Sequence, residues 1–433
     1  MNTLRLIHAR TKARSLGYNA VRILNIYKRY GLSNEKVRKI LIQFVTDIQR
    51  YNIQPTFPVT ASVVRRTPTL FQSLEQCGVE FALHGFKHID YTQLAIENVH
   101  RHWEQGLAIF KQCGLRNHGF RFPFLRRDPL CLNTLNSHAF LWDSSDVISW
   151  PLPKTLLIPQ KRVSDYQSIL ETYQVKDARE NVSLPYFIKS LVEIPVSMLD
   201  DDILVERLGF GVEQIDSVWQ SIFEETYKRK EMFVLQLHPE RYLECKMSLL
   251  RLIKKISKMT DVWTPTLSEL ALWWSERTKA IDSIQIKRID GKNYQAITNA
   301  ADRVTLIIYN NVKGKEDSMF SDEWKPVPSA YRIVSRVKPV IGIVPECISK
   351  YVDFFNQEGY LFEEKQPDTR YAIEIDHRSS DSPVVEFQSY LNSAKGPLLR
   401  VWRWPRGIRS VFAVTGDIDG LDFWDYWIRF YGN

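Results

Sequence analysis

The chain has 433 residues, a length that allows one large domain with a smaller one, or two to three domains. With 44% hydrophobic and 25% charged residues, its composition excludes a mainly disordered chain. Its net charge is +8, but basic and aromatic residues do not interleave as in proteins that read bases, so no nucleic-acid partner is expected. No apolar stretch approaches the roughly 18 residues of a membrane-spanning helix.

The N-terminal region and the cysteines predict a cytoplasmic protein. Arg5, Arg10, Lys12 and Arg14 interrupt the apolar core that a signal peptide would need. The cysteines are scattered, odd in number and without a Cys-x-x-Cys pair, which is typical of reduced thiols. The basic residues before Glu35 fit peripheral contact with anionic lipid, a phosphate-bearing substrate, or simply a solvated helix face. The oligomeric state is left open.

Strands and helices alternate through the first 275 residues. Apolar spacing predicts helices at residues 18–50, 68–77, 92–113, 212–228 and 266–274. Short apolar runs predict strands at residues 55–61, 79–84, 119–124, 140–143, 191–196 and 233–238. This alternation predicts parallel βαβ units of the α/β class. His84, Arg121, Asp143 and His238 come at or just after strands, where a β/α barrel collects its chemistry.

Residues 276–408 have a different pattern, which predicts a mostly β segment. Residues 283–297 alternate around the Asp290-Gly291 turn, a good hairpin signal. Further strands are predicted at residues 304–309, 332–344, 371–375 and 384–387, with one helix at 347–358 and a loop at 310–328.

The end of the chain carries an unexpected strand. Residues 409–416 form an apolar run that ends in Asp417 and Asp419. A strand this apolar belongs inside a parallel sheet, and no partner strand follows it in the sequence. Its neighbours must therefore come from earlier in the chain.

His84 and His88 are the most informative pair in the sequence. They leave the end of a predicted strand with three residues between them, so both rings can turn toward one point, as a divalent metal requires. Two loop histidines without a shared role are the alternative. A third ligand, an acid and a base would make the pair a catalytic site.

Five segments together resemble the polysaccharide deacetylase (NodB homology) family. They are Thr-Gly-Asp-Ile-Asp-Gly (415–420), Pro-Thr-Phe-Pro-Val-Thr (55–60), His-Gly-Phe-Lys-His (84–88), Arg-Phe-Pro-Phe (121–124) and Leu-Gln-Leu-His (235–238). The resemblance implies a distorted (β/α)7 barrel. The family's Asp-x-Asp motif normally precedes the strand that lies at 56–60 here, so its position at the end implies a circularly permuted barrel. Residues 1–275 would form the barrel, 409–433 would complete it, and 276–408 would be a mostly β accessory domain.

The resemblance also implies a metal site. Asp419, His84 and His88 would bind a divalent metal, with Zn²⁺ expected, and three protein ligands leave one position open, as a catalytic zinc site requires. The alternative for Asp419 is a turn residue at the end of the strand.

By the same resemblance, Asp417 is the general base and His238 is the general acid that protonates the leaving nitrogen. Arg121 resembles the arginine that pairs with the catalytic aspartate and keeps it ionised. Each has a structural alternative: Asp417 could hold a ligand histidine, His238 could be a packed histidine, and Arg121 could be a surface residue.

Three further residues follow from the resemblance. Asp143 resembles the acid that orients the network around the acid histidine, with Asp146 as a competitor, and Trp150 would form an aromatic wall for the substrate. Phe124 stands where the family usually has Tyr, and the family uses the backbone N–H of that position as an oxyanion donor. A loop with Asx turns is the alternative for Asp143 and Trp150.

The resemblance therefore implies a metal-dependent hydrolase that removes an N-acetyl group from an amino sugar or glycan precursor. A deformylase or linear-amide hydrolase on the same fold is a second hypothesis. A third is a non-catalytic carbohydrate-binding protein.

Overall fold

The computed structural model describes residues 24, 26–136, 140–297, 304–309, 325–328, 330–377 and 382–425. The basic residues Arg5, Arg10, Lys12, Arg14 and Arg22 lie outside the described residues, as do residues 18–23 of the first predicted helix and residues 310–324 of the predicted loop. Within the described ranges, no helix combines the length and the hydropathy needed to cross a bilayer.

Strands and helices alternate through the first part of the chain, as the sequence predicts. The strands are β1 (Thr56–Val59), β2 (Glu80–Leu83), β3 (Gly119–Phe120), β4 (Trp142–Asp143), β5 (Val147–Ser149), β6 (Lys176–Asp177), β7 (Tyr186–Ile188), β8 (Leu191–Glu193), β9 (Val196–Met198), β10 (Met232–Leu237) and β11 (Val262–Trp263). The α-helices are α1 (Glu35–Gln49), α2 (Ala61–Arg66), α3 (Pro68–Gln76), α4 (Ile96–Gln112), α5 (Pro129–Asn136), α6 (Val163–Thr172), α7 (Val212–Arg229), α8 (Tyr242–Ile256) and α9 (Leu267–Asp282).

The longer helices follow from apolar spacing and capping. Helix α1 buries the side chains of Val37, Leu41, Phe44 and Ile48, which recur every three or four residues along one face. Helix α9 begins at a capping box, in which Thr266 accepts a hydrogen bond from the backbone N–H of Glu269. The predicted helix at 266–274 is therefore confirmed, and it continues to residue 282.

Parallel pairing runs around a curled, barrel-like sheet. The extended segments 142–149 and 191–198 pair with each other through β4 with β8 and through β5 with β9. Segment 142–149 also pairs with β3, and segment 191–198 also pairs with β10. The strands β3, β2 and β1 are consecutive neighbours on the same sheet. The pairing confirms the barrel-type α/β fold that the resemblance implies.

The accessory segment contains three small sheets and two helices within the residues that the structure describes. Its strands are β12 (Gln285–Asp290), β13 (Asn293–Ile297), β14 (Leu306–Tyr309), β15 (Lys325–Val327), β16 (Ala330–Val334), β17 (Lys338–Ile343), β18 (Phe362–Glu364), β19 (Tyr371–Ile375) and β20 (Leu398–Val401). Its helices are α10 (Pro345–Glu358) and α11 (Pro383–Asn392). The predicted hairpin around Asp290-Gly291 is confirmed as β12 and β13.

Two predictions for this segment are wrong. Residues 384–387 belong to helix α11, because Ser382 caps its first turn and Pro383 occupies its first position. Phe387 and Leu391, four residues apart, then lie buried on one helix face. Residues 325–327, predicted as part of a loop, form β15 because they pair with β14.

The last strand, β21 (Ser410–Gly416), fills the remaining place in the barrel. It pairs in parallel with β10 along its whole length and with β1 at its end, and all of its residues are buried. Strands from distant parts of the chain therefore flank it, as its apolar sequence predicts. The interpretation of this order as a circular permutation stays a prediction.

The barrel and the accessory segment share one hydrophobic cluster. It contains Trp274 and Val411 from the barrel elements together with Ile341 and Phe355 from β17 and α10. The two parts of the chain are therefore packed against each other through apolar side chains. The domain boundaries at 275/276 and 408/409 stay a prediction.

Candidate metal centre

The loop that carries the two imidazoles begins at the carboxyl end of β2. The backbone N–H of His84 still donates to the carbonyl of Val59, so its position is fixed by the sheet. Gly85 then takes a positive φ of 80°, and a Cβ there would lie 2.6 Å from the hydroxyl of Tyr91. That hydroxyl accepts a hydrogen bond of 2.8 Å from the backbone N–H of Phe86. Glycine is thus required for the turn that brings His88 back toward His84.

The two acids reach the same place from the end of β21. The backbone N–H of Asp417 donates to Leu237, and the N–H of Ile418 donates to Pro58 at 2.8 Å, so the strand remains clamped between its neighbours. Because side chains alternate along an extended segment, Asp417 and Asp419 leave it on the same side.

Asp419 and the two imidazoles form a compact group. Oδ1 of Asp419 lies 3.4 Å from Nε2 of His84 and 3.3 Å from Nε2 of His88. The ligand atoms of the three residues all lie within 4.8 Å of one another. One carboxylate oxygen and two imidazole nitrogens are the donor set of a three-ligand zinc site, so the residues present fit a divalent metal.

A hydrogen bond sets the protonation of His84. Its Nδ1 lies 2.8 Å from the carbonyl oxygen of Arg121, which can only accept. Nδ1 therefore carries a hydrogen, and Nε2 is the ring nitrogen that faces Asp419. Donation from the second ring nitrogen to a carbonyl is the usual way in which a protein orients a metal-binding histidine.

Asp417 lies beside this group and is held by two donors. Nη1 of Arg121 donates to its Oδ1 at 2.8 Å, and Nε2 of Gln236 donates to its Oδ2 at 3.0 Å. Its Oδ2 lies 3.9 Å from Nε2 of His84. Asp417 is 3% exposed and Arg121 is fully buried, so this ion pair is shielded from solvent. The surface alternative for Arg121 is therefore wrong.

His238 directly follows β10 and is held by a carboxylate that the motifs did not identify. Asp201 accepts from its backbone N–H at 3.0 Å and from its Nδ1 at 2.9 Å. Burial alone would lower the pKa of His238, but the charge and hydrogen bond of Asp201, with Glu240 and Asp200, raise that pKa well above its ordinary value. Burial and the charge of Asp201 also raise the pKa of Asp200, to about 7.

Asp143 does not hold His238, although the resemblance implies that it orients the histidine network. Asp143 ends β4, accepts a hydrogen bond of 2.8 Å from Ser145 and lies 3.6 Å from Arg127. Topology explains the difference, because β9, which precedes Asp201, is the direct neighbour of β10. Adjacency to the strand that carries the histidine is the signal that could have identified Asp201.

Phe124 and Trp150 have different surroundings. The Phe124 ring packs edge-on against His88 with centroids 4.3 Å apart, is 44% exposed, and its backbone has a φ of 60°. A positive φ at a bulky residue is a strained conformation of the kind found at functional sites. Trp150 is 2% exposed, and its ring lies beneath the guanidinium of Arg229 in helix α7. The contacts of Trp150 thus give it a packing role rather than that of a substrate wall.

Comparison with known proteins supports the resemblance over part of the chain. The model of the polysaccharide deacetylase family matches residues 37–141, which include His84, His88 and Arg121, so the predicted resemblance is confirmed. A search of curated proteins finds no match.

Solved structures give weaker likenesses. A probable polysaccharide deacetylase from Pseudomonas aeruginosa PAO1 is 18% identical, with 58% of this chain and 75% of that chain covered and a TM-score of 0.44. PuuE allantoinase is 18% identical, with 54% and 72% covered and a TM-score of 0.43. A family 4 acetyl xylan esterase from Clostridium thermocellum, solved with a cobalt ion, is 12% identical, with 57% and 88% covered and a TM-score of 0.29. None of these likenesses bears on function.

Proposed function

We propose that the protein is a metal-dependent hydrolase that removes an N-acetyl group from an amino sugar or glycan precursor, a proposal supported by the match of residues 37–141 to the polysaccharide deacetylase family. One observation carries the proposal. The three candidate ligands His84, His88 and Asp419 converge within 4.8 Å, beside a buried aspartate that is paired with an arginine.

The donor set supports zinc as the metal. His84, His88 and Asp419 would hold it through two imidazole nitrogens and one carboxylate oxygen, a set that suits Zn²⁺. When bound, such an ion supplies a Lewis acid that polarises an amide carbonyl and makes water easier to deprotonate.

Asp417 is suited to take a proton from water. Its Oδ2 lies 3.9 Å from Nε2 of His84, the ring nitrogen that faces Asp419. Arg121 and Gln236 donate to its two oxygens, which fixes the direction of the carboxylate. A base held in this way needs no reorientation when the reaction begins.

His238 is suited to give a proton to the departing amine. Asp201 engages its Nδ1, so Nε2 is the atom that would deliver the proton to nitrogen. The raised pKa of His238 keeps the ring protonated near neutral pH, as an acid requires. The side chain is 18% exposed, which leaves it accessible to a substrate.

Phe124 would border the acyl group of the substrate. Its ring contacts His88, and the residue is 44% exposed, which leaves apolar surface available to a substrate. Its strained backbone directs the peptide at this position, and the family uses the N–H there to stabilise the oxyanion. Loss of the tyrosine hydroxyl leaves that backbone donor unchanged.

The cytoplasmic location stays part of the proposal, as does contact of the basic N-terminal residues with anionic lipid or a phosphate-bearing substrate. The reduced cysteines support the location, and the surplus of basic residues supports an anionic partner.

The test is metal content together with product release. Purified protein is analysed for metal, and acetate and formate are then assayed with N-acetyl and N-formyl amino sugars. We expect bound zinc, acetate release, and a loss of kcat of at least about 100-fold in Asp417→Asn, since general bases contribute factors of about 10²–10⁴. Asp376→Asn, at an exposed residue of the accessory segment that pairs with Lys365, is the matched control.

Each alternative has its own outcome. Formate release without acetate release would favour the deformylase. A metal-free protein that binds glycan and releases neither acid would replace the hydrolase with a carbohydrate-binding protein.

A further inference from the structure

Segment 142–149 is interrupted where it crosses from β4 to β5. Asp143 is opposite Glu193, and Val147 is opposite Val196. Three residues, 144–146, therefore lie opposite only two, 194 and 195, so segment 142–149 contains one extra residue at this point. The carbonyls of Asp143 and Asp146 still accept from the N–H groups of Ile194 and Val196. The N–H groups of Ser145 and Asp146 therefore need acceptors from outside the ladder, as buried backbone donors do.

The carboxyl group of Glu193 supplies that acceptor. Its Oε1 accepts from the N–H of Ser145 at 3.1 Å and from the N–H of Asp146 at 2.7 Å. Its Oε2 accepts from Nη1 of Arg127. Glu193 is fully buried, so no water replaces these contacts. One side chain thus satisfies two adjacent donors at the break.

At the break, Ser144 forms hydrogen bonds with Arg121, the arginine beside the candidate metal ligands. The carbonyl of Ser144 accepts from Nε of Arg121 at 2.8 Å, and its hydroxyl oxygen accepts from Nη2, also at 2.8 Å. The third nitrogen, Nη1, is the one that donates to Asp417 at 2.8 Å. Nη1 also donates to the hydroxyl of Thr415 at 2.9 Å. Two of the three nitrogens of the guanidinium are thus held by Ser144, whose position follows that of the backbone at residues 144–146.

Ser145 extends the same support to the loop that carries Phe124. Its hydroxyl oxygen accepts from the N–H of Phe122 at 2.8 Å, while the hydroxyl donates to Asp143. The break is thus hydrogen-bonded both to Arg121 and to the segment that leads to Phe124.

We propose that Glu193 is a positioning residue whose carboxyl group fixes the break in the strand and thereby holds Arg121 against Asp417. The link to the reaction rests on the proposed function, because Asp417 is the base in that proposal. The geometric part stands on the hydrogen bonds alone.

Charge balance around Arg127 is the competing role for Glu193. Arg127 also lies 3.2 Å from Asp146 and donates to Tyr186 at 3.0 Å, so it keeps partners when Glu193 is changed. Burial raises the pKa of Glu193 well above its ordinary value despite the charge of Arg127. Glutamine still offers one oxygen to the two N–H groups, while its NH₂ group faces Arg127, which keeps Asp146 and Tyr186 as partners.

Two variants distinguish the role of Glu193 as a hydrogen-bond acceptor from the role of its charge. Glu193→Gln keeps the acceptor, and Glu193→Ala removes it. In the zinc-loaded full chain we expect Glu193→Ala to lower kcat by at least about tenfold with KM within about threefold, since misplacing a reacting group by about 1 Å can cost about 100-fold. Glu193→Gln should retain kcat within about threefold. Lys176→Gln, which removes a charge that pairs with Asp146 in the same cluster, should leave kcat unchanged.

The side-chain Nε–H resonance of Arg121 provides a readout that is independent of activity. It is recorded on full-length protein labelled with ¹⁵N-arginine and assigned with Arg121→Lys. We expect it to shift or broaden in Glu193→Ala and to stay in place in Glu193→Gln and Lys176→Gln. Equal effects of the alanine and glutamine variants, or an unmoved resonance in Glu193→Ala, would overturn the proposal. If the resonance moves in Glu193→Ala but the wild-type protein releases no acetate, the positioning role is retained and only the proposed function is rejected.

Discussion

Replacing Asp201 with asparagine tests the contact between Asp201 and His238, which the sequence motifs did not predict. Asp201 is fully buried and accepts two hydrogen bonds from His238, one from the backbone N–H and one from Nδ1. Asparagine offers one acceptor oxygen and places its NH₂ group against the other donor. The pKa of His238 should therefore fall, because Asp201 supplies the largest of the contributions that, together with those of Glu240 and Asp200, outweigh burial.

The magnitude follows from the contacts that are lost. A hydrogen bond to a charged group contributes about 1.5–3 kcal/mol, and breaking a buried ion pair costs about 3–5 kcal/mol. Since asparagine keeps one of the two hydrogen bonds, we expect a loss of about 2–4 kcal/mol in the free energy of unfolding. Because the pKa of folded His238 is raised, this stabilisation is fully present below about pH 6.5 and is lost as the pH rises through the folded pKa.

The assay combines chemical denaturation with NMR titration of the imidazole signals. The stability difference between wild type and Asp201→Asn should be largest in mildly acidic buffer and should shrink in alkaline buffer. Asp143→Asn is the matched control, because Asp143 contacts Ser145 and Arg127 and has no contact with His238 among the hydrogen bonds and ion pairs described. A wild-type His238 that titrates at its ordinary pKa, or an Asp143→Asn variant that shifts it equally, would refute the reasoning.

Three further variants test separate parts of the chain. Gly85→Ala should lower the free energy of unfolding by more than about 1 kcal/mol, whereas Gly291→Ala, at an open hairpin turn, should change it little; denaturation measures both. Arg121→Met should cost about 3–5 kcal/mol, because it leaves a buried carboxylate without its cation, and a loss below about 1 kcal/mol would contradict the described ion pair. Ser382→Ala should cost about 1 kcal/mol through loss of a helix cap and should leave acetate release unchanged.

The motifs identified the members of the candidate metal group because these residues lie in short sequence segments. His84 and His88 lie in one loop, and Asp417 and Asp419 lie on one extended segment, so spacing alone restricts where they point. Their convergence depends on the pairing of β21 with β1 and β10, which the apolar run and the resemblance indicate but which local spacing cannot specify. The sequence therefore predicts which residues belong to the group, whereas their geometry depends on the strand pairing.

The stretch from Glu193 to Asp202 also resembles the family, but the sequence did not reveal which groups its acids contact. Asp201 and Glu193 bond to groups 37 and 48 positions away, respectively, and neither contact has a local signal. Helix α11 shows a second limit, because Val384, Val385 and Phe387 look like a strand until Ser382 and Pro383 are read as a helix start. Pairs of this kind depend on strand order, which single-sequence patterns leave open.

The position of β21 couples the metal group to folding of the barrel. All residues of β21 are buried between β10 and β1, and the hydrogen bonds of Asp417 and Ile418 continue that pairing to the acids. The acids can meet the imidazoles only after these distant strands pair, so the unfolded chain lacks the site and metal binding must stabilise the folded state. Zinc at about 100 times its dissociation constant should therefore add about 2.7 kcal/mol to the free energy of unfolding. The increase should disappear on chelation and in Asp419→Ala. An equal increase in Asp419→Ala would mean that zinc binds elsewhere.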